Sequence, residues 1–330
     1  MEKRINSIVL MRAAAIMMVV LIHCLPDLSR GGLRESEKII TAFIHGAMNC
    51  GVPLFLMITG ALLLHRRESI EKTLKRTLRI AAVLLVFGFI MCLTEFAVTY
   101  GFSPAMLSSS VLAVLSGQTW DVMWYLYMLI GVYLVMPALS TFVNCCDRKT
   151  HLYILAVLFV FNFVIASLNR QFGKIIGFYL PCGAASVFYV LMGDYLFRRK
   201  PEADRGVLCL CVILPLAAML AVSAAFGEFD SAAAWLEYSS PFAAVMSTAL
   251  AALLMNVNTE NKIIDFIAEN AFGIYVIHCF YIHIINRVFG TAAAEYPLYI
   301  SVPLTFAAVL ALSAFSSCVL RKIKPVKALL

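Results

Sequence analysis

Charged residues are scarce in this chain: Asp, Glu, Lys and Arg make up 14% of its 330 residues, where a soluble domain carries about a quarter. Long polar stretches are missing too. The longest, His65 to Arg76, has 12 residues and cannot bury a core of its own, which excludes a separate soluble catalytic domain. Any chemistry must therefore sit within the apolar part of the chain or on its rims. Cysteine is present, but not in a pattern that holds a metal. Most of the ten lie inside apolar runs (Cys24, Cys50, Cys92, Cys182, Cys209, Cys211, Cys279 and Cys318) and read as small buried hydrophobes. The adjacent Cys145 and Cys146 fall in a short loop, and no metal is expected. Nor does the basic start of the chain have a small-x-small cleavage site before Pro26. With Arg12 and His23 inside its apolar run, that segment reads as a retained first helix rather than a signal peptide.

What fills the sequence instead is hydrophobic residues, 62% of the total. Crossing about 30 Å of hydrocarbon takes about 20 helical residues, and windows of that length predict ten segments. Their approximate spans are Ser7–Leu25, Ile39–Leu64, Thr77–Tyr100, Val122–Val143, Leu152–Leu168, Gly177–Phe197, Val207–Phe226, Tyr238–Val257, Ala271–Phe289 and Leu298–Leu320. The fifth is short and the sixth contains Pro181. Only the connection Gly101–Asp121 has room for an interfacial helix. The expected fold is an all-α, polytopic transmembrane bundle, forming one domain over residues 1–330.

Lys and Arg are retained on the cytoplasmic side, so loop charge orients the bundle. With both termini cytoplasmic, 19 of the 26 basic residues fall inside, from Lys3 and Arg4 to Lys324 and Lys327. Six fall outside or near the outer helix ends: Arg30, Arg34, Lys38, Arg170, Lys174 and Arg287. Arg12 is the remaining one. Acidic residues such as Asp121, Glu228, Asp230, Glu237 and Glu295 collect on the outer rim. The expected location is the cytoplasmic membrane, among lipid. The net charge of +7 follows from this topology and implies no nucleic acid partner.

Ionisable groups at depth in a membrane cost a few kcal/mol and mark functional paths. Arg12 and His23 lie eleven residues apart, so they return to within about 20° of one helix face and stand about 16 Å apart along the axis. The simpler reading is a snorkelling arginine and an interfacial histidine. In the run EKTLKRTLRI, Lys75, Arg76 and Arg79 cluster within one turn, and two guanidinium forks at i and i+3 suit a polyphosphate as well as a positive-inside signal. Glu95 and His45 belong to the outer half, where Glu95 is placed to orient His23 or share its proton. His278 lies mid-helix, where a helix-to-helix hydrogen bond is expected. Trp120, Trp124, Tyr125 and Tyr127 fit an aromatic belt at the outer face.

Five pieces in register resemble the acyltransferase family 3 membrane proteins, the O-acyltransferases of bacterial surface carbohydrates. The first helix has an R-x10-H pattern in Arg12 and His23. GVPLFLMITGALLL from Gly51 resembles the family's second helix, with Thr59 where serine is frequent. Arg76-Thr-Leu-Arg79 is similar to its RxxR, WYLYMLIGVYLVMP from Trp124 to its fourth helix, and FGIYVIH from Phe272 to its late GIYLIH.

The resemblance implies transfer of an acyl group, usually acetyl, from cytoplasmic acyl-CoA to a hydroxyl of a glycan or lipid-linked saccharide across the membrane. Arg76, Arg79 and Lys75, with Arg12, would hold the donor phosphates, and His23 would deprotonate the acceptor or carry the acyl group. A transporter or flippase for a small molecule or lipid-linked sugar is the competing expectation. It predicts internal repeats with matched broken helices, and the two halves of the sequence show no convincing similarity.

Overall fold

The computed structural model describes residues 2–26, 33–180, 183–226, 235–293 and 296–330. Arg30, Pro181, Cys182, Glu228, Asp230 and Glu295 lie outside the described residues, as do the side chains of Lys3, Arg4 and Asp121. Among the described residues helix is the only regular structure, in keeping with a chain that must satisfy its backbone groups internally in lipid.

The helices are α1 (Glu2–Cys24), α2 (Glu35–Met48), α3 (Gly51–Leu63), α4 (Ile70–Tyr100), α5 (Ala105–Leu115), α6 (Trp124–Cys145), α7 (Arg148–Phe159), α8 (Ala166–Phe172), α9 (Ala185–Arg199), α10 (Arg205–Phe226), α11 (Pro241–Leu254), α12 (Lys262–Ala293), α13 (Leu298–Leu320) and α14 (Lys324–Leu329). Among the described residues eight apolar segments are long enough to cross a membrane; α2 with α3 forms one of them, and α7 with α8 another, joined by a π-helical turn at Val160–Ile165. The other two expected segments are present as shorter helices, α9 with 15 residues and α11 with 14. The sixth span needs correcting. Its helix begins at Ala185, not Gly177, and residues 174–180 are irregular. The helix expected between Gly101 and Asp121 is α5, which packs on α4.

Large apolar side chains point outward around the bundle, including Leu78, Leu304 and Phe315, each about two-thirds exposed. That is the surface of a multi-pass membrane protein, whose solvent is itself apolar. Inside, close approach relies on small residues because lipid offers no hydrophobic drive to associate. On α3 and α9, Gly60 lies against the Val190 carbonyl and Gly193 against the Met57 carbonyl, so a Cβ on either would overlap backbone. α1 runs through the middle and touches α2, α3, α11, α12 and α13, with Ala13, Ala15, Ile16 and Val20 fully buried.

One end of the bundle is fixed by polar ties between helix starts and finishes. Asn6 donates to Asn258 (3.3 Å), the Glu68 amide to Ser140 (3.0 Å), and Arg321 to the Glu269 carbonyl (3.1 Å). At the same end Arg198 of α9 donates to Asp194 (2.7 Å) and to the Val143 carbonyl (2.8 Å), while Asn144 donates to the Leu64 carbonyl (2.9 Å). This set pins α9 to α6, and α6 to the end of α3. Asp147 caps α7 there by accepting from the Thr150 amide, and hydrogen bonds from the side chain and backbone of Thr150 hold its carboxyl below the usual range. This is the end that carries most of the basic residues.

Candidate active site

α1 places Arg12 and His23 on one face, and that face turns towards α3 and α12 rather than towards lipid alone. Arg12 is half-buried and lines a cavity of about 360 Å³ at the basic end. Arg76 and Arg79 of α4 line it from the opposite wall. Thr59 of α3, Tyr125 and Tyr133 of α6, and Phe272 and Tyr275 of α12 complete the enclosure. Two groups of cations that are 64 residues apart in sequence thus face one space. Lys75 is exposed and does not line it.

The cavity carries a surplus of positive charge. Arg76 is paired with Glu68 at 2.7 Å, and the Glu68 carboxyl is itself nearly buried. Among the described residues Arg12 and Arg79 have no carboxylate partner; Arg79 donates through Nε to the Leu329 carbonyl (3.0 Å), and its guanidinium lies 5.9 Å from the centre of the Phe272 ring. Three guanidinium groups against one carboxylate, in a space walled by aromatic rings, leave the site poised for an anion. Surplus charge in so apolar a setting is costly unless a ligand uses it.

Beside the arginines the lining is aromatic, and Tyr275 of that lining touches a histidine behind it. Tyr125 and Tyr275 meet at a ring separation of 5.4 Å, and the Tyr275 hydroxyl donates to the Val122 carbonyl, which fixes it in place. One turn further along α12 stands His278, fully buried, with its ring 6.0 Å from Tyr275 and 5.4 Å from His23. Nδ1 of His278 lies 2.6 Å from the Tyr275 carbonyl of its own helix. A carbonyl can only accept, so Nδ1 carries a proton and donates it. The helix-to-helix hydrogen bond expected for His278 is thus replaced by an intrahelical one, and what crosses to α1 is the ring contact with His23. His23 itself is exposed at the finish of α1.

Such an arrangement has the parts of a transfer site: a cationic cavity at one end, aromatic rings in its wall, and an imidazole pair in ring contact with that wall. A family model described as an acyltransferase domain matches residues 5–322, nearly the whole chain. The chain belongs to acyltransferase family 3. No curated protein and no solved structure matches it significantly. Family membership makes it an acyltransferase, which requires an acyl donor and an acceptor, in a multi-pass membrane protein.

Seen as an acyltransferase, the chain places its remaining sequence-selected residues less centrally. Glu95 is half-exposed near the finish of α4, with Oε1 3.4 Å from the Thr99 hydroxyl and Oε2 4.0 Å from His283 Nδ1. His45 pairs with Asn49, the residue that caps the end of its helix (3.3 Å). Tyr125 corrects the belt expectation: it is buried among α3, α6 and α12, not at a lipid boundary. Tyr127 is tied to the Val114 carbonyl (2.5 Å) and so anchors α5. Sequence reasoning did not pair His278 with His23. The clue was a stripe on α12, since Phe272, Tyr275 and His278 recur every three residues beside the arginine cavity.

Proposed function

We propose that this acyltransferase moves an acyl group, acetyl in the simplest case, from acyl-CoA to a hydroxyl of a glycan or lipid-linked saccharide. Both termini lie in the cytoplasm and the protein sits in the cytoplasmic membrane, because that orientation keeps the basic end on the side where Lys and Arg are retained. The donor phosphates are held by Arg76 and Arg79, with Arg12 across the cavity. The pantetheine arm extends past Tyr125 and Tyr275 towards His23 and His278. The observation that carries this reading is the cavity shared by Arg12, Arg76 and Arg79, whose wall residue Tyr275 is in ring contact with His278, itself in ring contact with His23.

His23 is the catalytic base or the acyl carrier. As base, it takes the proton of the acceptor hydroxyl while the oxygen attacks the thioester carbonyl; the C–S bond breaks and the CoA thiolate leaves with that proton. As carrier, its unprotonated nitrogen attacks first, expelling CoA thiolate, which takes up the imidazole N–H proton; the acceptor oxygen then displaces the imidazole, which takes up the hydroxyl proton. His278 is a positioning residue: with Nδ1–H committed to a backbone carbonyl, it presents a ring of fixed orientation beside His23. Arg12 holds the donor from the same helix that carries His23, so phosphate binding and base placement are set by one rigid rod.

The test is acetyl-CoA binding and turnover by the full chain in lipid nanodiscs, with water as the default acceptor. His23→Ala is expected to cut thioester turnover at least about 100-fold while acetyl-CoA still binds. Wild-type turnover in that variant would remove the catalytic assignment. Counter-flow of a labelled solute without thioester cleavage would replace the enzyme by a transporter.

A further inference from the structure

At the basic end, where α9 finishes and α10 starts, lies a polar cavity of about 480 Å³. Its wall carries two cations, Lys200 and Arg205, against one carboxylate, Glu202. All three are exposed, and among the described residues none of them has an ion-pair partner. Asp204, next to them in sequence, is engaged at the start of α10, where it accepts from the Val207 amide (3.1 Å). Asn258, whose side-chain oxygen accepts from Asn6, keeps its NH2 group to donate. The cavity thus holds a surplus of one positive charge. Lys200 is also the one non-glycine among the described residues with a left-handed backbone (φ 42°). Glycine would make that turn without strain, so the ammonium is carried there against the preference of the backbone.

Leu196, Pro201, Ala203, Leu208 and Ala252 line this cavity and, equally, an apolar one of about 420 Å³, so the two are continuous. α7 packs on α9, α9 on α11 and α11 on α10, which makes α9 and α11 the floor of an apolar groove and α7 and α10 its sides. The lining runs from Leu196 back to Phe188 on α9 and from Ala252 back to Ala244 on α11, about 12 Å along each helix. One leaflet of hydrocarbon is about 15 Å deep, so the groove occupies a single leaflet, with its polar head at the basic end. Leu152 and Val245 in its lining are exposed, so it opens sideways to lipid.

We propose that this pair of cavities binds one anionic phospholipid, with its phosphate between Lys200 and Arg205 and an acyl chain in the groove. Charge selects the occupant: a phosphodiester with one negative charge neutralises the surplus, and in a lipid it is joined to an apolar chain of leaflet length. Soluble phosphate would leave the groove empty, and a neutral lipid would leave both cations unmet. An acyl-CoA, with several phosphate charges, would exceed the surplus. The site shares no lining residue with the cavity of Arg12, Arg76 and Arg79, and it stands whether or not the acyl-transfer reading does. Because the lipid bridges α7, α9, α10 and α11 only in the folded chain, binding stabilises that fold by mass action.

The experiment is native mass spectrometry of the full chain in detergent, titrated with dioleoylphosphatidylglycerol. The controls are dioleoylglycerol, which has no phosphate, dioleoylphosphatidylcholine, which has no net charge, and glycerol 3-phosphate, which has no chains. One phosphatidylglycerol is expected to bind saturably, at least about tenfold more tightly than any control, and to raise the melting temperature. Lys200→Gly with Arg205→Gln removes both charges and relieves the left-handed backbone; it is expected to weaken binding at least about tenfold with no loss of melting temperature before lipid is added. Ala156→Trp fills the groove from an exposed position on α7 and is expected to weaken binding as much. The proposal is overturned if either control lipid binds as tightly, if glycerol 3-phosphate or acetyl-CoA displaces the phosphatidylglycerol, or if either variant keeps wild-type affinity. A dimer mass without bound lipid would assign the groove to a second copy of the chain and overturn it as well.

Discussion

Arg198 and Arg79 are both guanidinium groups at the basic end of the bundle, yet their surroundings differ in kind. Arg198 closes on Asp194, on the Val143 carbonyl and on Asn144, so its charge is balanced and its donors bind two helices together. Arg79 has one backbone carbonyl and an aromatic ring for company, and it faces a cavity shared with two further arginines. Composition and depth alone do not separate these two residues. What separates them is whether the positive charge has a carboxylate beside it. A balanced, hydrogen-bonded pair resists change, because removing one partner strands the other in a poor solvent. An unbalanced cluster can wait for an anion.

This contrast can be broken most forcefully at the balanced pair. Asp194→Ala should cost about 3 kcal/mol of stability or more, seen as a lower melting temperature in nanodiscs, because Arg198 is left uncompensated. Equal stability with wild type would mean that the pair does not pin α9. Next in size, Arg79→Ala should raise the acetyl-CoA dissociation constant about tenfold or more with little change in melting temperature, read by calorimetry. A stability loss with unchanged affinity would make Arg79 a structural residue like Arg198. Removing both members of the pair, in Asp194→Leu with Arg198→Leu, should recover most of the stability lost in Asp194→Ala, to within about 1 kcal/mol of wild type. Finally, Glu68→Gln releases Arg76 from its carboxylate partner and should tighten acetyl-CoA binding about threefold, most visibly at low salt. Weaker binding would show that Glu68 orients Arg76 for the donor rather than competing for it.

Legibility in the sequence followed the range of each interaction. Arg12 and His23 were readable because an eleven-residue spacing fixes their common face within one helix. The RxxR pair was readable for the same reason. The contact of His23 with His278 joins positions 255 residues apart, and no local period records it. The same holds for Glu95, which the sequence placed near His23 by depth and which stands beside Thr99 and His283. Depth along the membrane normal is a one-dimensional quantity, and it cannot say which side of the bundle a residue occupies. Tyr125 failed for a related reason: an aromatic residue at the boundary depth can face lipid or face inward, and only the packing of α6 against α12 turned it inward.

The sequence by itself determined that the chain is helical, that it lives in lipid, and where its segments lie, because apolar run length is measured against a fixed hydrocarbon thickness. It also determined the family, through five motifs kept in order. Only the tertiary structure decided which helix faces meet. Arg12 joined Arg76 and Arg79 around one cavity, His23 met His278, and Lys200 and Arg205 came to stand at the head of an apolar groove, because helix rotation is set by close packing at positions such as Gly60 and Gly193 rather than by hydropathy.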